Sequence, residues 1–335
     1  MQKKNIYFLC AMTIVIFLVM VLVNGLLNKG IHVGDDMQAD DIAYQYHIAM
    51  ICSNPDNSFF QSVYTGAQEE GKEKGCYVEN FGMNLNQEYS VEELTAMAVA
   101  AKVDGILVEA GGGDRMKDVI DDAAAKGIPV ITLLSDAPKS SRISFAGGNN
   151  YAIGEIYGEQ VLSEVKKFSG KKKVSVKVLG NSGNEDSAQN LIISGIRDTM
   201  KDARMIELSE ASVLDNGKFE SEETVRDLIL KGEQPDILVC LSETDTISAY
   251  QCVVDYNMVG KISIIGYYSS AEILEQIKKG IISSTVSINA EEMGRLAMDG
   301  MHEYLTEEYV NGYLSVGAEL ITNANVQEHI KEEGL

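Results

Sequence analysis

The chain has 335 residues, of which 45% are hydrophobic and 23% charged, and its formal net charge is −22. That length exceeds what one hydrophobic core usually supports, and the composition is that of a chain that folds, so about two packed domains are expected and a disordered protein is excluded. The negative charge would repel a phosphate backbone, and the short run Lys171, Lys172 and Lys173 lies between a predicted helix and a predicted strand as a solvated turn, so nucleic acid is not an expected partner.

From Ile6 to Val23 eighteen residues carry no charge, and Leu26 and Leu27 prolong the apolar run. A bilayer core takes about 20 helical residues to cross. Lys3 and Lys4 precede the run and Asp35, Asp36, Asp40 and Asp41 follow it, which puts the amino terminus in the cytoplasm and the remainder outside. The exit Val23-Asn24-Gly25-Leu26 is poor for signal cleavage, and Cys10 lies too early for a lipoprotein anchor. An uncleaved signal anchor over 1–28 fits best, with cleavage as the alternative, and a polar, Asp-rich linker over 29–45 follows.

From Tyr46 onward short apolar runs alternate with longer amphipathic segments. Strands are predicted at His47–Cys52, Tyr77–Phe81, Gly105–Glu109, Pro129–Leu134, Val174–Leu179, Ile237–Leu241 and Ile262–Gly266. Helices are predicted between them at Phe59–Lys74, Val91–Lys102, Arg115–Lys126, Ala152–Lys167, Ala188–Asp202, Glu220–Lys231 and Ile247–Asn257. Continuous apolar strands are covered on both faces, and alternation with helices implies right-handed crossovers, hence doubly wound parallel sheets. Lys74-Gly75, Lys126-Gly127 and Lys279-Gly280 supply helix stops. Four strand–helix units before about Ala146 and three or four after it suit two similar lobes better than one long sheet.

Ligands of such sheets bind at the carboxyl ends of the strands, so the loop Ser53-Asn54-Pro55-Asp56-Asn57-Ser58 ahead of Phe59 and Phe60 would face a cleft. Two consecutive aromatic residues cannot both point inward on one helical turn, so at least one is expected to face the cleft. Glu109-Ala110-Gly111-Gly112-Gly113 lacks both phosphate-binding spacings and reads as a strand–helix turn. Most of the carboxylates, Asp118, Asp121 and Asp122 among them, read as solvated helix faces. The scattered cysteines form no C-x-x-C pair and no metal spacing, so neither a metal nor a cofactor is expected.

Ile48-Ala49-Met50-Ile51-Cys52-Ser53 with its loop, Gly66-Ala67 and Lys74-Gly75 resemble the ribose/galactose type of periplasmic binding protein. The resemblance continues through Gly127-Ile128-Pro129-Val130-Ile131-Thr132, Asp136-Ala137-Pro138, Gly148-Asn149-Asn150-Tyr151 and Gly154. It ends with Ile264-Ile265-Gly266-Tyr267-Tyr268, Thr285 and Met293-Gly294, in order over roughly Tyr46 to Leu320. It implies two lobes joined by three hinge strands near Ala146, Ser287 and Gly317: an N-terminal lobe of 46–146 plus 288–316 and a C-terminal lobe of 147–287 plus 317–335. By the same match the ligand would meet Asn57, Phe59, Phe60, Ser135, Asp136, Asn190, Thr244, Asp245 and Tyr268.

Sugar binders of this type usually carry an Asp where Leu134 stands, an Arg near Ile192, an Asp at Tyr268 and a Gln near Ile288. Each unpaired sugar hydroxyl would cost about 1–3 kcal/mol, so either the ligand differs from a simple sugar or the site is weakened. The resemblance implies an extracytoplasmic binding protein for a sugar-like molecule, working with an ABC permease or, alternatively, a membrane sensor kinase. The rival from another class is a membrane-anchored α/β enzyme. Against it, there is no G-x-S-x-G elbow, no H-E-x-x-H pair and no Cys/His pair, and no catalytic residue is expected.

Overall fold

Tyr46–Ile51 forms β1, whose last four side chains are all buried, as they must be in a strand packed on both faces. In the computed structural model, residues 44–85, 87, 89–111, 113–181, 187–213 and 218–332 are described. The expected membrane segment at 1–28 and nearly all of the linker at 29–45 lie outside the described residues. Among the described residues no helix is long and apolar enough to cross a membrane.

After β1 come α1 (Ser58–Glu73), β2 (Cys76–Asn80), α2 (Val91–Ala101), β3 (Gly105–Val108), α3 (Asp114–Ala125), β4 (Val130–Leu133), β5 (Ser144–Gly148) and α4 (Asn150–Val165). The second half runs β6 (Val174–Asn181), α5 (Ser187–Met200), β7 (Ile206–Val213), α6 (Lys218–Leu230), β8 (Ile237–Cys240), α7 (Glu243–Asp255), β9 (Ser263–Tyr267), α8 (Ala271–Lys278) and β10 (Ser284–Ile288). It ends with α9 (Ala290–Glu307), β11 (Tyr313–Val316), β12 (Ala318–Thr322) and α10 (Val326–Glu332). The helix starts are chemically marked. Ser90 and Glu93 form a reciprocal capping box on α2, and Asn57, Asn149, Ser242 and Asn289 cap α1, α4, α7 and α9 with their side-chain oxygens.

The strands form two six-stranded sheets, ordered β11-β5-β4-β3-β1-β2 and β12-β10-β9-β8-β6-β7. All neighbours pair in parallel except the antiparallel β10–β12 pair. Leaving out β11 and β12, both sheets share the doubly wound order 2-1-3-4-5, with the switch point beside β1 in one and β6 in the other. The chain passes between the sheets at three places: from β5 to α4, from β10 to α9, and from β11 to β12.

The two halves exchange helices. Helix α4, which follows the last crossover strand of the first half, packs on α5 of the second, and α9 packs on α1 of the first. Both contacts close through glycines. A Cβ on Gly66 would lie 1.9 Å from the Glu291 carbonyl oxygen, and one on Gly294 would lie 1.9 Å from that of Val63. In the other pair a Cβ on Gly154 would meet the Ile192 carbonyl oxygen at 2.2 Å and one on Gly195 that of Tyr151 at 2.3 Å. Each lobe is thus clamped by one backbone-to-backbone helix contact that no larger residue permits.

The predicted strands and helices up to Asn257 correspond to observed elements within a few residues, and β7 is an added strand. Its sequence Ile206-Glu207-Leu208-Ser209-Glu210 is polar because it forms the outer edge of its sheet, with Glu207 and Glu210 outward beside Lys173 and Arg197. The lysine run is a turn after α4 in which Lys171 pairs with Asp236 and Lys173 with Glu207. Cys52, Cys76, Cys240 and Cys252 are buried free thiols, and burial pushes those of Cys76 and Cys252 up to about 11.

Candidate functional site

Between the sheets lies a crevice of about 150 Å³, lined by the segments that leave the carboxyl ends of β1, β3, β4, β6, β8 and β9 and by the start of α4. At roughly 30 Å³ per liquid water it has room for about five waters, the scale of one small solute.

One wall is aromatic. Phe59 opens α1, where Asn57 Oδ1 accepts from its N–H at 2.8 Å. Its ring meets Phe60 edge-on at 5.2 Å, Tyr267 at 6.0 Å and Tyr268 edge-on at 5.1 Å between centroids. Phe59 and Phe60 are 3% and 7% exposed and both line the crevice, although the helical period forbids both from entering the core of their own lobe. Phe59 is buried instead by tyrosines from the opposite lobe.

The rest of the lining is polar and acidic. Glu109, just beyond β3, accepts from the Ser53 N–H at 2.8 Å and the Ser53 hydroxyl at 2.7 Å. Glu243, the first residue of α7, is 5% exposed and reaches across to the amino end of α1, where it accepts from the Ser58 hydroxyl and from the Phe59 N–H at 3.3 Å. Unsatisfied N–H groups and the helix dipole favour a carboxylate there. Asp245 accepts from the buried Ser221 hydroxyl at 2.5 Å, and burial raises its carboxyl above the usual range. Two further bonds span the lobes: Asn57 Nδ2 donates to Thr244 Oγ1 at 3.5 Å, and the Tyr268 hydroxyl donates to Ser62 Oγ at 2.9 Å. Tyr157 of α4, fully buried, joins the ends of β8 and β9: its hydroxyl lies 3.0 Å from the carbonyls of both Cys240 and Gly266. Among the described residues no group of three metal-ligating side chains forms.

Leu134 and Tyr268 occupy equivalent places, one residue beyond β4 and β9, and both have left-handed backbones at φ 59° and 73°. In that conformation their N–H groups donate to the crossover strands β5 and β10, Leu134 to the Ala146 carbonyl at 3.0 Å and Tyr268 to that of Val286 at 2.9 Å. A non-glycine residue there costs about 1–2 kcal/mol, so the backbone route is maintained against local preference.

Of the residues matched by resemblance, Asn57, Phe59, Phe60, Ser135, Thr244 and Asp245 line the crevice, whereas Asp136, Asn190 and Tyr268 do not. Asp136 is turned into its own lobe by the guanidinium fork of Arg142, whose Nη2 donates at 2.7 Å, and by Thr132 Oγ1 at 2.8 Å. Asn190 is an exposed residue of α5, while Gln189 beside it lines the crevice, since one residue rotates a helical side chain by about 100°. Tyr268 backs Phe59 rather than reaching the space itself. Sequence reasoning passed over Glu109, Asn150, Gln189 and Glu243. Glu109 directly follows β3 and Glu243 comes three residues after the end of β8, and that position distinguishes them from carboxylates such as Asp121 and Asp122, which pair with Lys117 and Lys126 on α3 and its cap.

A family model described as "Periplasmic binding protein domain" matches residues 48–308. The ribose import binding protein RbsB of Bacillus subtilis (strain 168) is 24% identical over 283 residues, covering 83% of this chain and 88% of that protein. GanP, a glucose-galactose binding protein from Geobacillus stearothermophilus, has a crystal structure similar at a TM-score of 0.75 and 25% identity, covering 84% of this chain and 98% of that one. A structure described as the XylFII-LytSN complex is similar at a TM-score of 0.71 and 24% identity, covering 83% of this chain and 98% of that one.

Proposed function

The chain belongs to the periplasmic binding protein domain family, in its ribose/galactose branch, and from that premise we propose that it is an extracytoplasmic solute-binding protein serving ABC-type uptake of a sugar or sugar-like molecule. The observation that carries this reading is the crevice itself, lined from both lobes at the switch points where doubly wound sheets take their ligands. A solute that touches Asn57, Phe59, Phe60 and Ser135 on one side and Thr244 and Asp245 on the other favours the closed state over the open one by the contacts it gains only there. Binding, not turnover, is the proposed activity.

The lobes in this reading comprise 46–146 plus 288–316 and 147–287 plus 317–335, hinged at the three crossings. The apolar run from Ile6 to Val23 supports a signal anchor that keeps the folded part outside the cell membrane. A second reading, in which closure presents a surface to a membrane sensor kinase, draws on the XylFII-LytSN complex, in which a chain of similar fold is assembled with a second protein.

The test is isothermal calorimetry on the full-length chain in mild detergent against ribose, glucose, galactose, arabinose and xylose. Micromolar or tighter binding of one of them is expected, and no heat with any would overturn the sugar reading. Co-purification with a permease or with a kinase then separates the two uses.

A further inference from the structure

The crevice has a one-sided charge. Its described lining includes Glu109, Glu243 and Asp245 and no Lys, Arg or His. Glu243 and Asp245 are 5% and 7% exposed, and the partners they meet are neutral donors: Ser58 and the Phe59 N–H for the first, Ser221 for the second. Burying carboxylates without a counter-cation is costly, and the dipole of α1 offsets only about half a charge. A bound cation would complete the arrangement. Phe59, Phe60 and Tyr267 also line the crevice, and an aromatic ring attracts a cationic group over its face, while Asn57, Ser135 and Gln189 carry amide and hydroxyl groups of the kind that hydrogen-bond hydroxyls. The net charge of −22 further raises the local concentration of cations over anions.

We propose that the crevice selects a hydroxylated solute bearing a protonated amine, an amino sugar by chemical class, with Glu243 and Glu109 facing the ammonium group. This rests on the binding reading above and narrows it. It accounts for the Ile192 departure: an arginine there would place a second cation against the ligand's own, and the apolar side chain removes that repulsion.

The experiment is calorimetry on the full-length chain in mild detergent with glucosamine and galactosamine, their parents glucose and galactose, and the N-acetyl derivatives, which keep the shape and lose the charge. The amines are expected to bind at least ten-fold more tightly than either neutral counterpart. That ratio should shrink toward one as pH rises past the amine's own pKa and as salt is added. Glu243→Gln, with folding checked by its melting temperature, should reduce the ratio at least five-fold. If that variant does not fold, the pH titration of the unaltered chain decides alone. Neutral sugars binding as tightly as the amines would overturn this proposal and leave the sugar-binding reading standing. No binding by any of the six would overturn both.

Discussion

Replacing Phe59 by alanine tests the proposed closure of the lobes, because the ring has a divided set of neighbours. Of its three aromatic partners, Phe60 lies on its own helix, while Tyr267 and Tyr268 belong to the opposite sheet's lobe. Each aromatic pair is worth about 0.5–1.5 kcal/mol beyond area burial. The two cross-lobe pairs therefore stabilise the closed form by about 1–3 kcal/mol, all of which the variant loses only when the lobes are shut. At 1.4 kcal/mol per factor of ten, ligand affinity should fall roughly 5- to 150-fold, before any lost stacking on the ligand is added. The assay is calorimetry with the tightest-binding sugar of the panel, paired with small-angle scattering to follow closure. Affinity within two-fold of the original, together with a lower melting temperature, would refute the reasoning, since it would mean that Phe59 supports its own lobe and not the closure.

Further outcomes follow from other contacts. Gly294→Ala and Gly195→Ala each force a Cβ into a carbonyl of the facing helix and should cost about 2–3 kcal/mol, lowering the melting temperature by roughly 5–10 °C, whereas Gly170→Ala, with open space around its Cβ, should change it by under about 1 °C. Asp245 has a folded-state pKa raised by burial, so the folded chain holds that proton more tightly than the unfolded one and stability falls as pH rises from about the unfolded value toward the raised one. Asp245→Asn should therefore raise the melting temperature at pH 7, with the difference vanishing as pH drops to about 4. Arg142→Ala leaves Asp136 without its fork and should cost about 2 kcal/mol in denaturant unfolding while ligand affinity stays within two-fold; a large affinity loss would return Asp136 to the site.

Most of the architecture was legible because fully buried parallel strands such as Gly105–Val108 and Ile237–Cys240 are uninterrupted apolar runs that periodicity detects directly. The edge strand at Ile206–Val213 was not, since an edge strand is half-solvated and reads as loop, and the crossover strands near Ser287 and Gly317 were reached through the resemblance and not through periodicity. The crevice was half legible. The Asn57-Ser58-Phe59-Phe60 loop is marked by its position after a strand, but the orientation of Asp136 depends on Arg142, six residues later, and that of Asn190 on the rotational phase of one helix. Glu243 escaped because its partner, Ser58, is 185 positions distant in the chain and joined to it only by the fold.

The exchange of α4 and α9 between halves has a consequence for how the chain matures. A nascent polypeptide that has emerged through Gly148 holds five of the six strands of its first sheet, yet it lacks the helix that covers Gly66 and the strand that borders β5. Neither lobe can be finished until the stretch 313–322 has been made, since it supplies the last strand to each sheet. Synthesis from the amino end thus leaves both sheets without their last strand until nearly the whole chain is available, so the two lobes reach completion together.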